Sequence, residues 1–343
     1  MAHEESSPRI ITPGALRFNT DSMKLEYFRI GSEGGDTNSY AGIGTLAAGE
    51  WVQIATDTPE IQTGGTRGLR FGGATPSDTD TIDFINIDST GNAIDFGNLT
   101  SASQHNGDGG MASRTRGFYT RSGIQFVTTA STGDATSFGS LAHSVTNGMC
   151  SASDSTRGVI FGGFASPATL NVIQYITMAS LGNGVDFGDL DHAGANTAVS
   201  SSTRAICTSP ADRLSFVTIN TLGNAADFGD SSVNGGHQAG ASNSIRGVFF
   251  GGEVSPASVD TIDYITISTL GNALDFGNLS AAQQEGSASS SPTRATYSGG
   301  GNPVTNEIQY VQIMTTGDAI DFFDLTQSVS HDDCCSNGHG GLG

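Results

Sequence analysis

Five histidines recur at two positions relative to a repeated phenylalanine. His105, His237 and His331 lie nine residues after Phe96, Phe228 and Phe322, while His143 and His192 lie five after Phe138 and Phe187. Imidazoles in register invite a metal reading, which needs several nitrogens within about 2 Å of one ion. The matching positions in other stretches are Asn147, Asn196 and Glu285, so ordinary loop residues are the simpler account. Asp78, Asp80 and Asp83 offer oxygens for calcium, but the glycine and closing glutamate of an EF-hand loop are missing. Cys150, Cys207, Cys334 and Cys335 lack paired C-x-x-C spacing, which argues against zinc. Adjacent Cys334 and Cys335 would point to opposite faces of a strand, as small core residues. Gly338, Gly340 and Gly343 spell G-x-G-x-x-G with no helix to follow, and read as a flexible tail. No H-E-x-x-H, phosphate-loop or G-x-S-x-G motif occurs. The sequence therefore predicts no catalytic residue, no cofactor and no metal.

Composition narrows the class. The 343 residues include 48 glycines, about double the ~7% of ordinary proteins. Formal net charge is −20, with thirteen arginines and a single lysine, Lys24. Phosphates would be repelled, so nucleic acid is not expected as a partner. No run approaches the ~18 apolar residues of a membrane span, so no membrane insertion is expected. The start, MAHEESSPRI, lacks the basic and apolar segments of a secretory signal, which predicts synthesis in a cytoplasm.

The elements that position these residues follow from internal repetition. A T-R-G-like element recurs at Arg67, Arg116, Arg157, Arg204, Arg246 and Arg294, with gaps of 49, 41, 47, 42 and 48 residues. Such a period matches the ~40–50 residues of a four-stranded propeller blade. Each unit holds an apolar run ending in paired glycines, as in RGVFFGG (246–252), then a polar loop. An alternating run such as TIDYITI (261–267) follows, and then a segment such as GNALDFGNL (271–279). The pairs Gly91-Asn92, Gly133-Asp134, Gly182-Asn183, Gly223-Asn224, Gly271-Asn272 and Gly317-Asp318 read as tight hairpin turns, whose positive φ these residues tolerate. One aromatic per strand recurs: Phe84, Phe126, Tyr175, Phe216, Tyr264 and Tyr310, then Phe96, Phe138, Phe187, Phe228, Phe276 and Phe322. These twelve are expected to fill the core.

The grammar resembles kelch repeats, in which an apolar strand ends in double glycine and two aromatic-bearing strands follow. The doublets are Gly72-Gly73, Gly162-Gly163, Gly251-Gly252 and Gly299-Gly300. Units two and four depart from it, with TRSG (120–123) and SPAD (209–212), and phenylalanine replaces the usual tryptophan. The resemblance covers about residues 66–338 and implies an all-β, six-bladed propeller over 61–343. Galactose-oxidase-type enzymes share this fold but use a copper-linked Cys–Tyr pair that does not stand out here. The R-G-V-F-x-G-G…T-I-D-Y-I-T-I…T-L-G-N-A-x-D-F-G variant is similar to arrays in virion proteins of tailed bacteriophages, especially marine cyanophages. Independently, PGALRFNTDSMKLEYFRIG (13–32) followed by GEWVQI (49–54) resembles a β-element of phage tail and fibre proteins. Residues 1–60 then form an attachment segment. An extra hairpin covering the propeller edge is the plainer alternative.

The sequence stops partway through a repeat. DLTQSVSHDDCCSNG (324–338) is the stretch that precedes T-R-G elsewhere, so it should supply the innermost strand of the first blade; IQTGG (61–65) competes for that place. Strand alternation puts the turn before T-R-G and the Gly-Asn pair on one face. The loops after the double glycines and the blade-to-blade connections lie on the other. The latter loops, ATPSDTD (74–80), FASPATL (164–170), EVSPASV (253–259) and GNPVTN (301–306), vary in length, which often marks a binding side. Candidate binding residues there are Thr75, Ser77, Asp78, Ser166, Thr169, Glu253, Ser255, Ser258, Asn302, His105 and His237. The six arginines would bond neighbouring carbonyls or blade aspartates such as Asp95 and Asp275, with an anion-binding ring as the alternative.

Two functions remain. One is a structural virion protein, a tail, fibre or capsid-decorating component, docked to other virion proteins through the first segment. The other is a glycan- or receptor-binding module not tied to a virion. A homo-oligomer and a host-surface ligand both stay open.

Overall fold

The computed structural model describes residues 15–19, 24–30, 49–53, 67–105, 110–209 and 211–342. The chain divides into two compact units, residues 1–59 and 60–343. In the first, Leu16–Asn19, Lys24–Ile30 and Gly49–Gln53 form an antiparallel sheet. Its register sets Phe18 opposite Leu25 and Phe28 opposite Trp51, and Phe28 is buried.

The second unit is an all-β, six-bladed propeller. Blade five shows the plan: an inner strand Ala239–Ser242, a second Arg246–Phe250, a third Ala257–Thr266 and an outer Leu274–Gln283. Inner strands are rich in Ala, Ser, Gly and Cys because they crowd around one axis. Second strands are buried on both faces, which explains their continuous apolar runs. Third strands alternate, and outer strands bury little beyond their phenylalanine.

Of the twelve repeated aromatics the six outer-strand phenylalanines are buried in the core, whereas the six third-strand aromatics are half-buried against them. The third-strand aromatic meets its outer-strand phenylalanine edge to face in all six blades, with centroids 5.8–6.0 Å apart. Such contacts add about 0.5–1.5 kcal/mol beyond area burial. The glycine doublets follow the second strand, or in blade three lie within its extension to Ala165, in left-handed backbone, with φ of +60° at Gly72 and +104° at Gly73. A Cβ on Gly73 would lie 2.3 Å from the Val329 side chain, so both conformation and space require glycine.

Blade one closes the ring. The strand Asp333–Ser336 pairs with Arg67–Phe71, setting Cys335 opposite Leu69. This is the closure expected from the terminal half-repeat; IQTGG (61–65) lies outside the described residues. Blade two is the exception among the described residues. Its three named strands, Arg116–Thr120, Ile124–Thr128 and Thr136–Gly139, are met on the inside only by a bridge between Ala112 and Gly117.

The Gly-Asn and Gly-Asp pairs are not the hairpin turns. Those turns lie just before them, closed in blade five by Thr269 N–H donating to Thr266 O at 3.1 Å and equivalently at Ser89, Ser131, Ser180, Thr221 and Thr315. The pair instead reaches the preceding blade: Asn272 Oδ1 accepts from Asp230 N–H at 3.2 Å. Equivalent bonds run from Asn98 N–H to Asp134, Ser140 to Asn183, Asp189 to Asn224, Asn278 to Asp318 and Asp324 to Asn92. None of the six Asn or Asp residues has positive φ. They are there as acceptors.

Two outcomes test this architecture. Deleting residues 324–343 strips the Arg67–Phe71 edge, so the melting temperature should fall sharply or the protein aggregate; an unchanged melting curve would mean another strand closes the ring. Phe276, 2% exposed, should cost roughly 3–5 kcal/mol on replacement by alanine and much less by leucine, measured by denaturant unfolding.

Candidate binding face

The loops that vary between blades gather on one face. Ser77 and Asp78 are exposed and Thr75 half-buried. Ser166 and Thr169 stand exposed at the hairpin where Ala168–Thr169 folds back on the second strand of blade three. Ser255 is exposed, Glu253 and Ser258 are half-buried, and Asn302 is exposed with φ of +60°. Blades two and four turn tightly there, through Arg121 N–H to Gly123 O at 3.0 Å and Ser209 N–H to Arg213 O at 2.9 Å. Pro210, within SPAD, lies outside the described residues.

The inner strands begin at the centre of this face, and their leading residues form a necklace. Glu285 N–H donates to His237 O at 3.2 Å, His331 N–H to Glu285 O at 2.7 Å, and His105 N–H to His331 O at 2.7 Å. Their side chains crowd the channel mouth. His331 Nδ1 is 3.3 Å from Glu285 Oε2, and the His237 and His331 rings are 6.3 Å apart. Burial holds the His331 imidazole below the usual histidine range. Glu285 and Asp78 oppose that shift and His237 reinforces it. Asp78 in turn lies 3.5 Å from Arg121. His105 is only 3% exposed, against the Tyr119 ring at 5.9 Å, so its side chain forms wall rather than surface.

The remaining histidines disperse: His143 meets Asp186 at 3.1 Å and His192 meets Asp191 at 2.8 Å. Asp83 is held by Arg70 at 2.7 Å inside the protein, apart from Asp78. Among the described residues no His, Cys, Asp and Glu cluster has metal-binding geometry. All four cysteines are buried, and burial pushes the Cys207 thiol up to about 12.

The opposite face carries the six arginines, and they are structural. Each guanidinium stacks on its own blade's third-strand aromatic at 4.3–4.8 Å. Each also donates to a main-chain carbonyl of the next blade at 2.7–3.2 Å: Arg67 to Thr129, Arg116 to Met178, Arg157 to Ile219, Arg204 to Ile267, Arg246 to Ile313, and Arg294 back to Ile87. The outer-strand aspartates Asp95, Asp186, Asp227, Asp275 and Asp321 are exposed instead.

Sequence reasoning missed a buried charge cluster at the closure. Arg70 occupies a position that is apolar or aromatic in most other blades, and it is 3% exposed beside Asp83. Asp332 lies near it, accepting from Ser287 Oγ at 2.6 Å, while its Oδ1 has no partner among the described residues. Burial raises the Asp332 carboxyl to about 6 against the pull of Arg70 and Ser287. The one available signal was an arginine within RGLRFGG, at a position its counterpart RGVFFGG fills with phenylalanine.

No family model matches the chain, and no curated protein matches it in sequence. Solved structures do match, 596 chains in all. One is described as "Structure of YjhT", with a TM-score of 0.57 at 12% identity over 68% of this chain and 87% of that one. At such identity the likeness shows the propeller fold alone.

Asp332 sets a pH dependence. Its carboxyl pKa is raised by folding from 3.8 to about 6, so ionisation weakens the fold above pH 6 and the penalty fades as pH falls towards 3.8. Asp332→Asn should therefore stabilise by on the order of 1–3 kcal/mol at pH 7.5 and by nearly nothing at pH 3.5. A loss of stability at both pH values would show that attraction to Arg70 outweighs burial.

Proposed function

We propose that this chain is a structural virion protein of a tailed bacteriophage, a tail, fibre or capsid-decorating component, built on a kelch-like propeller. In this reading it is a binding protein, not an enzyme. Residues 1–60 dock on other virion proteins, and the propeller offers its variable loops to a neighbouring protein or a host surface. The observation that carries it is the first unit. The two stretches that resemble the phage tail element, 13–32 and 49–54, contribute the strands of one small sheet in a unit separate from the propeller. A docking module with its own fold suits attachment without engaging the binding loops. The second reading, a glycan- or receptor-binding module not tied to a virion, draws on the exposed loops of blades one, three, five and six.

Particle incorporation separates the two. Residues 61–343 alone should fold but fail to join particles lacking the native protein, whereas the full chain should restore incorporation. Equal incorporation by both would place docking on the propeller. Failure of both, with binding of the isolated propeller to a glycan array, would favour the second reading.

A further inference from the structure

The arginine-face end of the central channel is occupied. Five serines stand at one position of the inner strands, and each hydroxyl donates to the main-chain oxygen of its counterpart one blade away. Ser336 bonds Ser290, Ser290 bonds Ser242 at 2.8 Å, Ser242 bonds Ser200 at 2.8 Å, and Ser200 bonds Ser153 at 2.9 Å. Ser153 then bonds Ala112 O at 2.9 Å, and the series stops because Ala112 has no hydroxyl. Residues 338–342, which read in the sequence as a flexible tail, cross this broken end of the ring.

The fit is specific. Leu342 is 4% exposed, and its carbonyl accepts from Arg114 at 2.5 Å. A Cβ on Gly340 would lie 2.2 Å from Asn243 O and 2.3 Å from Ser200 O, and one on Gly341 only 1.7 Å from Ser153 O. The segment thus leans on blades two to five. His339 orders it: Gly341 N–H donates to Nδ1 at 3.1 Å, so the neutral ring carries its proton on Nε2, which donates to Ala112 O at 2.9 Å.

We propose that residues 338–342 form a releasable plug in this channel mouth, seated by neutral His339 and expelled when acid protonates Nδ1. Protonation removes the Gly341 acceptor and places a charge in a buried site. Burial brings the imidazole down to about 4, with Ala112 O and Asp154 opposing and Arg114 reinforcing the shift. Blades four to six face the segment with Ser200, Asn243 and Pro292, none of them titratable. Because the seated pKa lies below the free value of 6.5, the plug holds fully above pH 6.5 and weakens as pH falls to about 4, by ~300-fold in all. Release uncovers the oxygens of Ala112, Ser153, Ser200 and Asn243, an opening suited to hydrogen-bond donors.

Hydrogen exchange by mass spectrometry on the full chain, corrected for intrinsic rates, reads this directly. Amides of 338–342 should exchange at least ~100-fold faster at pH 3.5 than at pH 7.5 while inner-strand peptides stay protected. His339→Gln, which keeps a donor and an acceptor but gains no proton, should stay seated at pH 3.5. Gly341→Ala should release the segment at pH 7.5 with the propeller intact. In the native chain the His339 ring resonance should titrate near pH 4, in step with release. The proposal fails if the segment stays protected at pH 3.5, if inner strands lose protection together with it, or if His339 titrates above pH 6.

Discussion

A propeller blade cannot bury its own faces, so this fold depends on what joins one blade to the next. The arginine at the head of each second strand does this with two interactions at once. Its guanidinium plane covers an aromatic ring of its own blade, where stacking is worth ~0.5–2 kcal/mol. Its edge then donates to the neighbour's carbonyl, so holding the plane on the ring also aims the bond. Lysine has no plane to stack and no fixed fork. Six such ties, the last from Arg294 to Ile87, leave no blade whose arginine is idle.

Three further sets of bonds repeat the logic at different radii. At the rim, the Asn or Asp after each glycine accepts a main-chain N–H of the preceding blade. At mid-radius, a polar side chain of the third strand accepts from the preceding blade beyond its outer phenylalanine, as Gln125 does from Thr100, Gln309 from Ser280 and Asp263 from Ser232. Inside, the serine hydroxyls do the same along the channel wall. Much of the recurrent polar set is therefore used between blades rather than within them.

This division explains what was legible in the sequence. Period, aromatic pairs and closure were readable because apolar alternation and residue size set them locally. The arginine bonds to neighbouring carbonyls were also expected, but the roles of the other recurring polar residues were not, because the partner sits one repeat away. Asn272 was therefore read as a turn residue from its own neighbourhood, although its bond is to Asp230. The serine series was hidden in Ala- and Ser-rich stretches with no distinctive spelling. His339 occurs once, next to glycines that suggest mobility, and only the oxygens of other blades reveal why glycine is needed there. Of the candidate site, loop exposure at Ser77, Ser166 and Ser255 followed from the length variation. His105 turned inward, packed against the Tyr119 ring with its N–H bonded to His331 O.

The same division bears on where a partner can be accommodated. Substitution on the arginine face touches a residue used by two blades, so a new side chain there disturbs an interface before it can meet a ligand. The loops after the glycine doublets lie outside these repeated ties, and in blades three and five the chain returns by a local hairpin. Charge follows the same line. Six arginines are committed to carbonyls and Arg70 is buried against Asp83, while the outer-strand aspartates remain in solvent. Much of the positive charge is thus spent inside a chain whose net charge is −20, leaving an acidic exterior. On the proposed binding face the partly exposed Arg121 and exposed Arg213 are themselves paired with Asp78 and Asp191, so specificity there rests on loop shape and hydrogen bonding more than on unpaired positive charge.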